Sequence, residues 1–168
     1  AGTGKEVWTF AYDCLYENVG YPGGPRASVV ISDGKAYSLG TMGHLHCFNA
    51  QTCEVVWKRD LNREYQIRMP IWGIAATPLV TGETIILQIG GSNGASVVAL
   101  DKHTGKELWR SMDDEASYSA PILIPQAGKP VVVVWTAGHL AGLDPSTGQV
   151  YWKFPFPIKQ GIAKTKPV

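Results

Sequence analysis

A short phrase that ends in tryptophan occurs four times in this chain of 168 residues. The copies span residues 3–8, 49–57, 101–109 and 144–152. In the last three copies an Asn or Asp (Asx) lies eight positions before the tryptophan. Spacings of 49, 52 and 43 residues separate the successive tryptophans, which are Trp8, Trp57, Trp109 and Trp152. A repeat of this length indicates an array of similar supersecondary units, each packed on its neighbours.

Each copy of the phrase indicates a strand, a tight turn and a second strand. The position two before the Asx holds a small residue, namely Cys47, Ala99 or Gly142. An Asx side chain can bond its own turn backbone, and the glycine that follows can take a positive φ. Cys53 stands where the other copies have glycine, so a positive φ there would cost about 1 kcal/mol.

Two further strand-like runs precede each Asx strand. The first runs are residues 27–31, 76–80 and 120–124, and the second are residues 35–39, 84–89 and 131–135. Turn residues such as Asp33-Gly34 separate the runs, as hairpins require. Four short antiparallel strands about every 45 residues are typical of a β-propeller blade. The sequence therefore predicts an all-β chain without a helix.

The predicted architecture is a partial β-propeller of about three full blades plus one extra strand, in one domain. Residues 1–12 would form the final strand of a preceding blade, residues 26–59, 75–110 and 118–154 the three blades, and residues 155–168 a tail or linker. Three blades leave sheet faces uncovered. We therefore expect a fragment that docks onto the remainder of a parent chain, or one half of an assembly closed by a second copy.

The phrase at residues 99–109 resembles the tryptophan-docking repeat of quinoprotein dehydrogenases and of the wider PQQ-like propeller proteins. In that family each tryptophan packs between neighbouring blades, and complete members usually carry about seven or eight blades. The resemblance implies a periplasmic or secreted bacterial protein. It also implies docking roles for Trp8, Trp57, Trp109, Trp152, Asn49, Asp101 and Asp144.

Composition argues against two classes of partner. The formal net charge is +1 and no basic run or stripe is present, which disfavours a nucleic-acid partner. No apolar stretch reaches the roughly 18 residues of a membrane-spanning helix, so we predict no membrane span. The three cysteines are an odd number and do not form a disulfide framework.

Two motifs suggest ligand chemistry but favour a structural explanation. His44 and His46 lie two apart on a predicted strand, so both rings point to one face, as metal ligands can. No Cys or carboxylate recurs with them in a ligand pattern, and we predict no metal. The glycine-rich run at residues 90–94 is similar to a phosphate-binding loop, yet a strand follows it where such loops need the start of a helix. We predict a hairpin loop there.

The long connections between units are better candidates for a binding surface. Residues 10–26 and 59–72 are too long and too aromatic for minimal linkers. Such connections gather on one propeller face beside the central channel, and aromatic rings with arginine are favoured at recognition surfaces. The candidate ligand-binding residues are Arg26, Tyr65, Arg68, Trp72 and Tyr118. In the alternative, these loops fold back over the blade edges.

Two functions follow from the resemblance. PQQ-dependent dehydrogenases hold the quinone between a tryptophan and a disulfide of adjacent cysteines, with calcium bound by Glu, Asn and Asp. No two cysteines of this chain are adjacent and no calcium set can be matched, so we assign no catalytic residue, cofactor or metal. We expect a non-catalytic scaffold that binds a protein, peptide or glycan. A fragment of a PQQ-dependent alcohol or sugar dehydrogenase, with PQQ and calcium, is the alternative.

Overall fold

The structure, a computed structural model, describes residues 3–21 and 23–158. These residues form twelve β-strands and one short helix. The strands build three four-stranded antiparallel sheets in which neighbours in sequence are also neighbours in space. The prediction of an all-β partial propeller is therefore confirmed. Residues 159–168 of the expected tail lie outside the described residues.

Each sheet is one blade, and the blades are numbered in chain order. Blade 1 contains β1 (Val30–Ser32), β2 (Lys35–Leu39), β3 (His44–Asn49) and β4 (Val55–Asp60). Blade 2 contains β5 (Leu79–Thr81), β6 (Thr84–Gln88), β7 (Val97–Asp101) and β8 (Glu107–Ser111). Blade 3 contains β9 (Ile122–Gln126), β10 (Lys129–Trp135), β11 (His139–Leu143) and β12 (Val150–Pro155). Each blade's last strand ends one residue beyond the expected boundary.

The segment before blade 1 has no assigned strand at residues 3–12, where the final strand of a preceding blade was expected. Residues 6–12 make no backbone–backbone hydrogen bond with another described residue. The physical reason is that the described residues include no neighbouring strand of that blade. The segment is held by its side chains instead, including Trp8, whose ring lies 5.8 Å from that of Phe48.

The core lies between the blades, and the sheet of blade 2 is covered on both faces. Along β6, Ile85 and Leu87 pack toward blade 1, whereas Ile86 between them packs toward blade 3. A strand covered on both faces has apolar residues at consecutive positions, since alternate side chains point to opposite faces. All four consecutive valines of β10, at residues 131–134, are buried as well, and Val132 and Val134 pack toward blade 2.

A register shift recurs in all three blades where the third and fourth strands pair. It falls between Cys47 and Phe48, between Ala99 and Leu100, and between Gly142 and Leu143. The small residue just before the shift pairs directly with the tryptophan, as Ala99 does with Trp109. A small side chain at this position leaves room for the indole of the cross-strand partner.

The one helix in the described residues, α1 (Leu61–Tyr65), follows β4 directly. Asp60 caps it by accepting a hydrogen bond from the Arg63 backbone N–H at 3.1 Å, and Gln66 ends it with φ 49°. The sequence predicts no helix, because a helix of little more than one turn is too short to show helical periodicity.

Alternating strand directions divide the turns between two faces of the molecule. The first hairpin and the Asx turn of each blade lie at one end of the strands, here the turn face. The loops between second and third strands and the connections between blades lie at the other end, here the connection face. Backbone hydrogen bonds tie the connections to the loops, for example Ile74 N to Thr41 O at 2.9 Å and Ser92 N to Tyr65 O at 2.8 Å.

Candidate functional site

The turn face carries the same Asx turn in every blade. Oδ1 of each Asx accepts hydrogen bonds from the backbone N–H groups of the second and third residues after it. For Asp101 the distances are 3.0 Å from His103 N and 2.7 Å from Thr104 N. Asn49 and Asp144 make the equivalent pairs of bonds at 2.7 to 3.1 Å. Hydrogen bonds lower the pKa of Asp101 and Asp144. The largest contributions come from the hydroxyls of Thr104 and Ser146, and the backbone N–H groups add to them.

Tryptophans of one unit dock onto the Asx turn of the next unit. The indole N–H of Trp8 donates to the carbonyl of Ala50 at 2.9 Å, and that of Trp57 to the carbonyl of Lys102 at 3.1 Å. Trp109 repeats the contact on Pro145 at 3.0 Å. In each case the acceptor is the residue directly after the Asx. This shared acceptor makes Trp8, Trp57 and Trp109 geometrically equivalent.

The turn glycines are required for space as well as for φ. A Cβ added at Gly105 would lie 2.7 Å from Cε3 of Trp57, and one at Gly148 would lie 2.8 Å from Cδ2 of Trp109. Cys53 occupies the same turn position in blade 1 with φ 65°. Because this φ is positive, the backbone strain predicted from the sequence for Cys53 applies.

Trp152 departs from this docking geometry. Its indole N–H donates to Oε1 of Gln126 at 2.8 Å, within its own blade. The ring lies against Gly142, where an added Cβ would come within 2.6 Å of its Cζ2 atom. The described residues contain no Asx turn beyond blade 3 to supply the usual carbonyl acceptor.

Candidate binding residues meet on the connection face between blades 2 and 3. Arg68 and Tyr118 line a half-open cleft of about 260 Å³, together with Ile71, Glu115 and residues with small or apolar side chains. The Tyr118 hydroxyl accepts a hydrogen bond from the Trp72 backbone N–H at 3.0 Å. Burial raises the pKa of Tyr118. Three of the five candidates thus share this cleft or its edge.

Arg26 lies near Gly73, the residue that follows Trp72. Its guanidinium donates to the carbonyl of Tyr21, and its Nη1 atom is buried without a hydrogen-bond partner in the described residues. A Cβ added at Gly73, next to Trp72, would lie 3.3 Å from that Nη1. The backbone N–H of Gly20 reaches the carbonyl of Ile71 at 2.6 Å and joins the two long connections.

Together these residues form one exposed surface, here the connection patch. Its members are Tyr21, Arg26, Arg68, Ile71, Trp72 and Tyr118. Large apolar side chains are exposed within it: Tyr21 at 64%, Ile71 at 58% and Trp72 at 42%. Sequence reasoning missed Ile71 and the cleft residue Glu115. The apolar run at residues 69–72 inside a connection was the signal for Ile71, whereas nothing in the sequence marks Glu115.

Tyr65 does not belong to the connection patch, contrary to the sequence-based expectation. Its side chain is only 4% exposed, because α1 turns it toward the contact between blades 1 and 2. The hydroxyl donates to Oε2 of Glu107 at 2.6 Å, and Arg59 and Arg110 lie 5.9 and 5.3 Å from the ring centre. Burial raises the pKa of Tyr65 to about 12. These contacts hold the two blades together.

The histidine pair of β3 packs among aromatic rings. The His46 ring is stacked on that of Phe48 at 5.5 Å, and Nδ1 of His44 lies 3.7 Å from Sγ of Cys14. Among the residues that the structure describes, no group of three or more His, Cys, Asp or Glu side chains could hold a metal ion. The glycine-rich run at residues 90–94 lies in the loop between β6 and β7, where Gly91 packs against Tyr65.

The repeated blades, their docked tryptophans and the Asx turns define the class of protein, a PQQ-like β-propeller repeat protein. The family model described as "Outer membrane protein assembly factor BamB" matches residues 1–161. The chain therefore belongs to this family. No helix in the described part of the chain is long and apolar enough to cross a membrane.

The relatives that match the chain carry two kinds of name, dehydrogenase and outer membrane protein assembly factor. It is 27% identical to the quinoprotein ethanol dehydrogenase of Pseudomonas aeruginosa over 79% of this chain and 23% of the relative. It is 26% identical to the outer membrane protein assembly factor BamB of Kangiella koreensis over 93% of this chain and 37% of the relative. The chain spans about a quarter of the length of the first curated relatives it matches.

Two solved structures share the fold. The BamB structure from Moraxella catarrhalis aligns with a TM-score of 0.59 at 17% identity, over 82% of this chain and 41% of that one. The quinohemoprotein alcohol dehydrogenase of Comamonas testosteroni aligns with a TM-score of 0.60 at 21% identity, over 82% of this chain and 22% of that one. At these identities the likeness establishes the propeller fold alone.

Proposed function

We propose that this protein is a non-catalytic propeller module that binds a protein or peptide partner through the connection patch. The observation that carries the proposal is the exposed Trp72 and Ile71 beside a half-open cleft lined by Arg68 and Tyr118. Aromatic and arginine side chains dominate the binding energy of protein interfaces. An exposed cluster of large apolar residues with a polar border is typical of an interaction site.

The patch is also held in place before any partner binds. The Trp72 backbone is fixed by Tyr118, and the two long connections are joined through Gly20 and Ile71. A preformed surface loses less conformational entropy on binding than a flexible loop does. Support from relatives is coarser: some bear the name of an outer membrane assembly factor. A periplasmic or secreted location is part of this proposal for the same reason.

Selection of a random peptide library on the 168-residue chain, followed by calorimetry, tests the proposal. We expect selected peptides to lose at least about tenfold in affinity with Trp72→Ala, the loss of a binding hot spot. Leu108→Ala is the matched control, because Leu108 is an exposed apolar residue of β8 outside the patch, and it should leave affinity unchanged. Equal effects of both variants, or binding only on a glycan array, would reject a peptide-binding patch.

Relatives named as quinoprotein dehydrogenases support a second candidate, a PQQ-dependent dehydrogenase. The described residues do not fit the PQQ and calcium set that the family resemblance implies. Glu115 is the one carboxylate that lines the cleft, and the neighbouring Asp114 is occupied by Nδ1 of His139 at 2.9 Å and by Oγ1 of Thr136 at 2.8 Å. We derive no catalytic step through PQQ. Submicromolar binding of PQQ with calcium, with dye-linked alcohol oxidation, would replace the scaffold proposal.

A further inference from the structure

The cleft between blades 2 and 3 contains two opposite charges that no described residue neutralises. Arg68 and Glu115 both line the cleft, and both residues are exposed. No ion pair or side-chain hydrogen bond joins either group to another residue within the described ranges, 3–21 and 23–158. Both charges are therefore free to pair with a ligand that enters the cleft.

The two charges lie on different walls of the cleft. Arg68 belongs to the connection between blades 1 and 2, and Glu115 belongs to the connection between blades 2 and 3. Their charged atoms form no ion pair, so they are more than 4.0 Å apart. The cleft has a volume of about 260 Å³, and the small residues Ala116 and Ala137 also line it. A ligand can therefore lie between the two charges, with one end at each.

Backbone contacts fix both walls. The N–H of Arg68 donates to the carbonyl of Gly90 at 3.3 Å, and a Cβ added at Gly90 would lie 3.0 Å from Cβ of Ala116. On the other wall, the N–H of Ala137 donates to the carbonyl of Glu115 at 3.0 Å. The backbone positions of the two charged residues are thus set before a ligand binds, which lowers the entropy lost on binding.

A buried hydrogen-bond network supports the wall between Glu115 and Tyr118. Ser117, only 2% exposed, accepts a hydrogen bond from Nε2 of Gln88 at 2.9 Å and donates to the carbonyl of Trp135. Buried polar groups are costly to leave unpaired, so a movement of this wall would be unfavourable. The network therefore holds Glu115 and Tyr118 in place on either side of Ser117.

Tyr118 adds a neutral donor to the wall that carries Arg68. Its hydroxyl reaches that wall, where it accepts the Trp72 backbone N–H at 3.0 Å. Burial raises the pKa of Tyr118, and this exceeds the lowering by the same N–H and by the charge of Arg26. The hydroxyl thus keeps its proton at neutral pH, and the proton has no acceptor among the described residues. A carboxylate can accept it together with the N–H groups of Arg68.

We propose that the cleft selects peptides with one acidic and one basic side chain in a fixed order. The Asp or Glu side chain of the peptide binds at Arg68, and its Lys or Arg side chain binds at Glu115. The reversed order places like charges together, which opposes binding. The exposed Ile71 and Trp72 beside the cleft contribute apolar contact area and most of the affinity. This specificity rests on the peptide-binding function proposed above.

Parallel selections on the original chain and on the double variant Arg68→Glu/Glu115→Arg test the order of charges. The probe is a synthetic random peptide library blocked at both termini, so that only side chains supply charge. We expect peptides selected on the original chain to carry an acidic and a basic residue in one order, and those selected on the double variant to carry them in the opposite order. The exchange preserves the net charge and breaks no ion pair of the described residues.

Calorimetry with a selected peptide gives the size of the effect. Arg68→Glu should lower the affinity by at least about tenfold, because an attraction becomes a repulsion. A peptide whose acidic residue is replaced by lysine should regain affinity for that variant. Lys106→Glu is the matched control, since it makes the same change in net charge at an exposed residue of the turn face, and it should leave the affinity unchanged. Arg68→Gln and Glu115→Gln remove the charges singly in case the double variant does not fold, and each should weaken binding.

The outcomes separate this specificity from the proposed function. Peptides that lose affinity with Trp72→Ala but not with Arg68→Glu would overturn the charge selection and leave peptide binding intact. Equal losses with Arg68→Glu and Lys106→Glu would also overturn it, because the effect would then come from net charge alone. Binding only of peptides with free termini would assign the two charges to chain ends and contradict the proposal. Selection of no peptide, or only of peptides insensitive to Trp72→Ala, would reject both the specificity and the function.

Discussion

A single turn position shows how the repeat tolerates an unfavourable residue. Cys53 adopts φ 65°, close to the 71° and 72° of Gly105 and Gly148 at the equivalent position. This left-handed region is unfavourable for residues other than glycine, because their Cβ crowds the backbone. In blade 1 the indole N–H of Trp8 still bonds the Ala50 carbonyl, although residue 53 carries a Cβ. The sequence alone identifies the odd residue, but only the structure supplies the sign of φ.

Replacement of Cys53 by glycine should relieve this strain. We expect Cys53→Gly to be neutral or to raise the free energy of unfolding by up to about 1 kcal/mol, because the relief of strain at positive φ is partly offset by the greater flexibility of glycine in the unfolded chain. Urea denaturation measures the change. Cys53→Ala retains a Cβ at positive φ and should differ little from the original chain. A clear loss of stability in the glycine variant would show that the Cys53 thiol makes a stabilising contact.

The Asx turn is the element that links one blade to the next. Its glycine has two separable requirements, a positive φ and an open space for the tryptophan of the preceding unit. Gly34 has almost the same φ as Gly148, 71° against 72°, yet a Cβ there would meet nothing within 4 Å. The two positions therefore separate the cost of φ from the cost of crowding.

Comparison of Gly148→Ala with Gly34→Ala should separate those costs. We expect Gly34→Ala to lower the free energy of unfolding by about 1 kcal/mol, from φ alone. Gly148→Ala should cost about 1 to 3 kcal/mol more, because its Cβ would displace the Trp109 ring. Urea denaturation of both variants provides the values. Equal losses would mean that Trp109 adjusts freely and does not depend on the turn beneath it.

For the whole molecule, the structural features that repeat in every blade could be predicted from the sequence, whereas features that occur only once were missed. The Asx and tryptophan registers identified three blades because each feature recurs at matched positions. The burial of Tyr65 was not predictable, since it depends on the short helix α1. The indole bond of Trp152 within blade 3 was missed because it arises where the described residues contain no further Asx turn. The cleft could not be located because its residues come from two connections distant in sequence.

Trp109 and Trp152 offer a direct comparison of a docked and an undocked tryptophan. Trp109→Ala should lower the free energy of unfolding by about 3 to 5 kcal/mol, the range for removing a large buried aromatic ring. Trp109 is 7% exposed and joins blades 2 and 3, whereas Trp152 contacts its own blade. We therefore expect Trp152→Ala to cost at least about 2 kcal/mol less. Similar losses in thermal or urea unfolding would contradict the docking assignment.

Hydrogen exchange of the tryptophan indole N–H groups tests the central claim, a scaffold held by docked tryptophans that presents Trp72 to a partner. In the free chain, Trp57 and Trp109 should exchange slowly, because their N–H groups are bonded to the next turn. Trp72, whose indole N–H has no hydrogen-bond partner in the described residues, should exchange fast and slow down only when a selected peptide is bound. Fast exchange at Trp57 and Trp109, or a Trp72 that is protected in the free chain and unaffected by the peptide, would contradict the account.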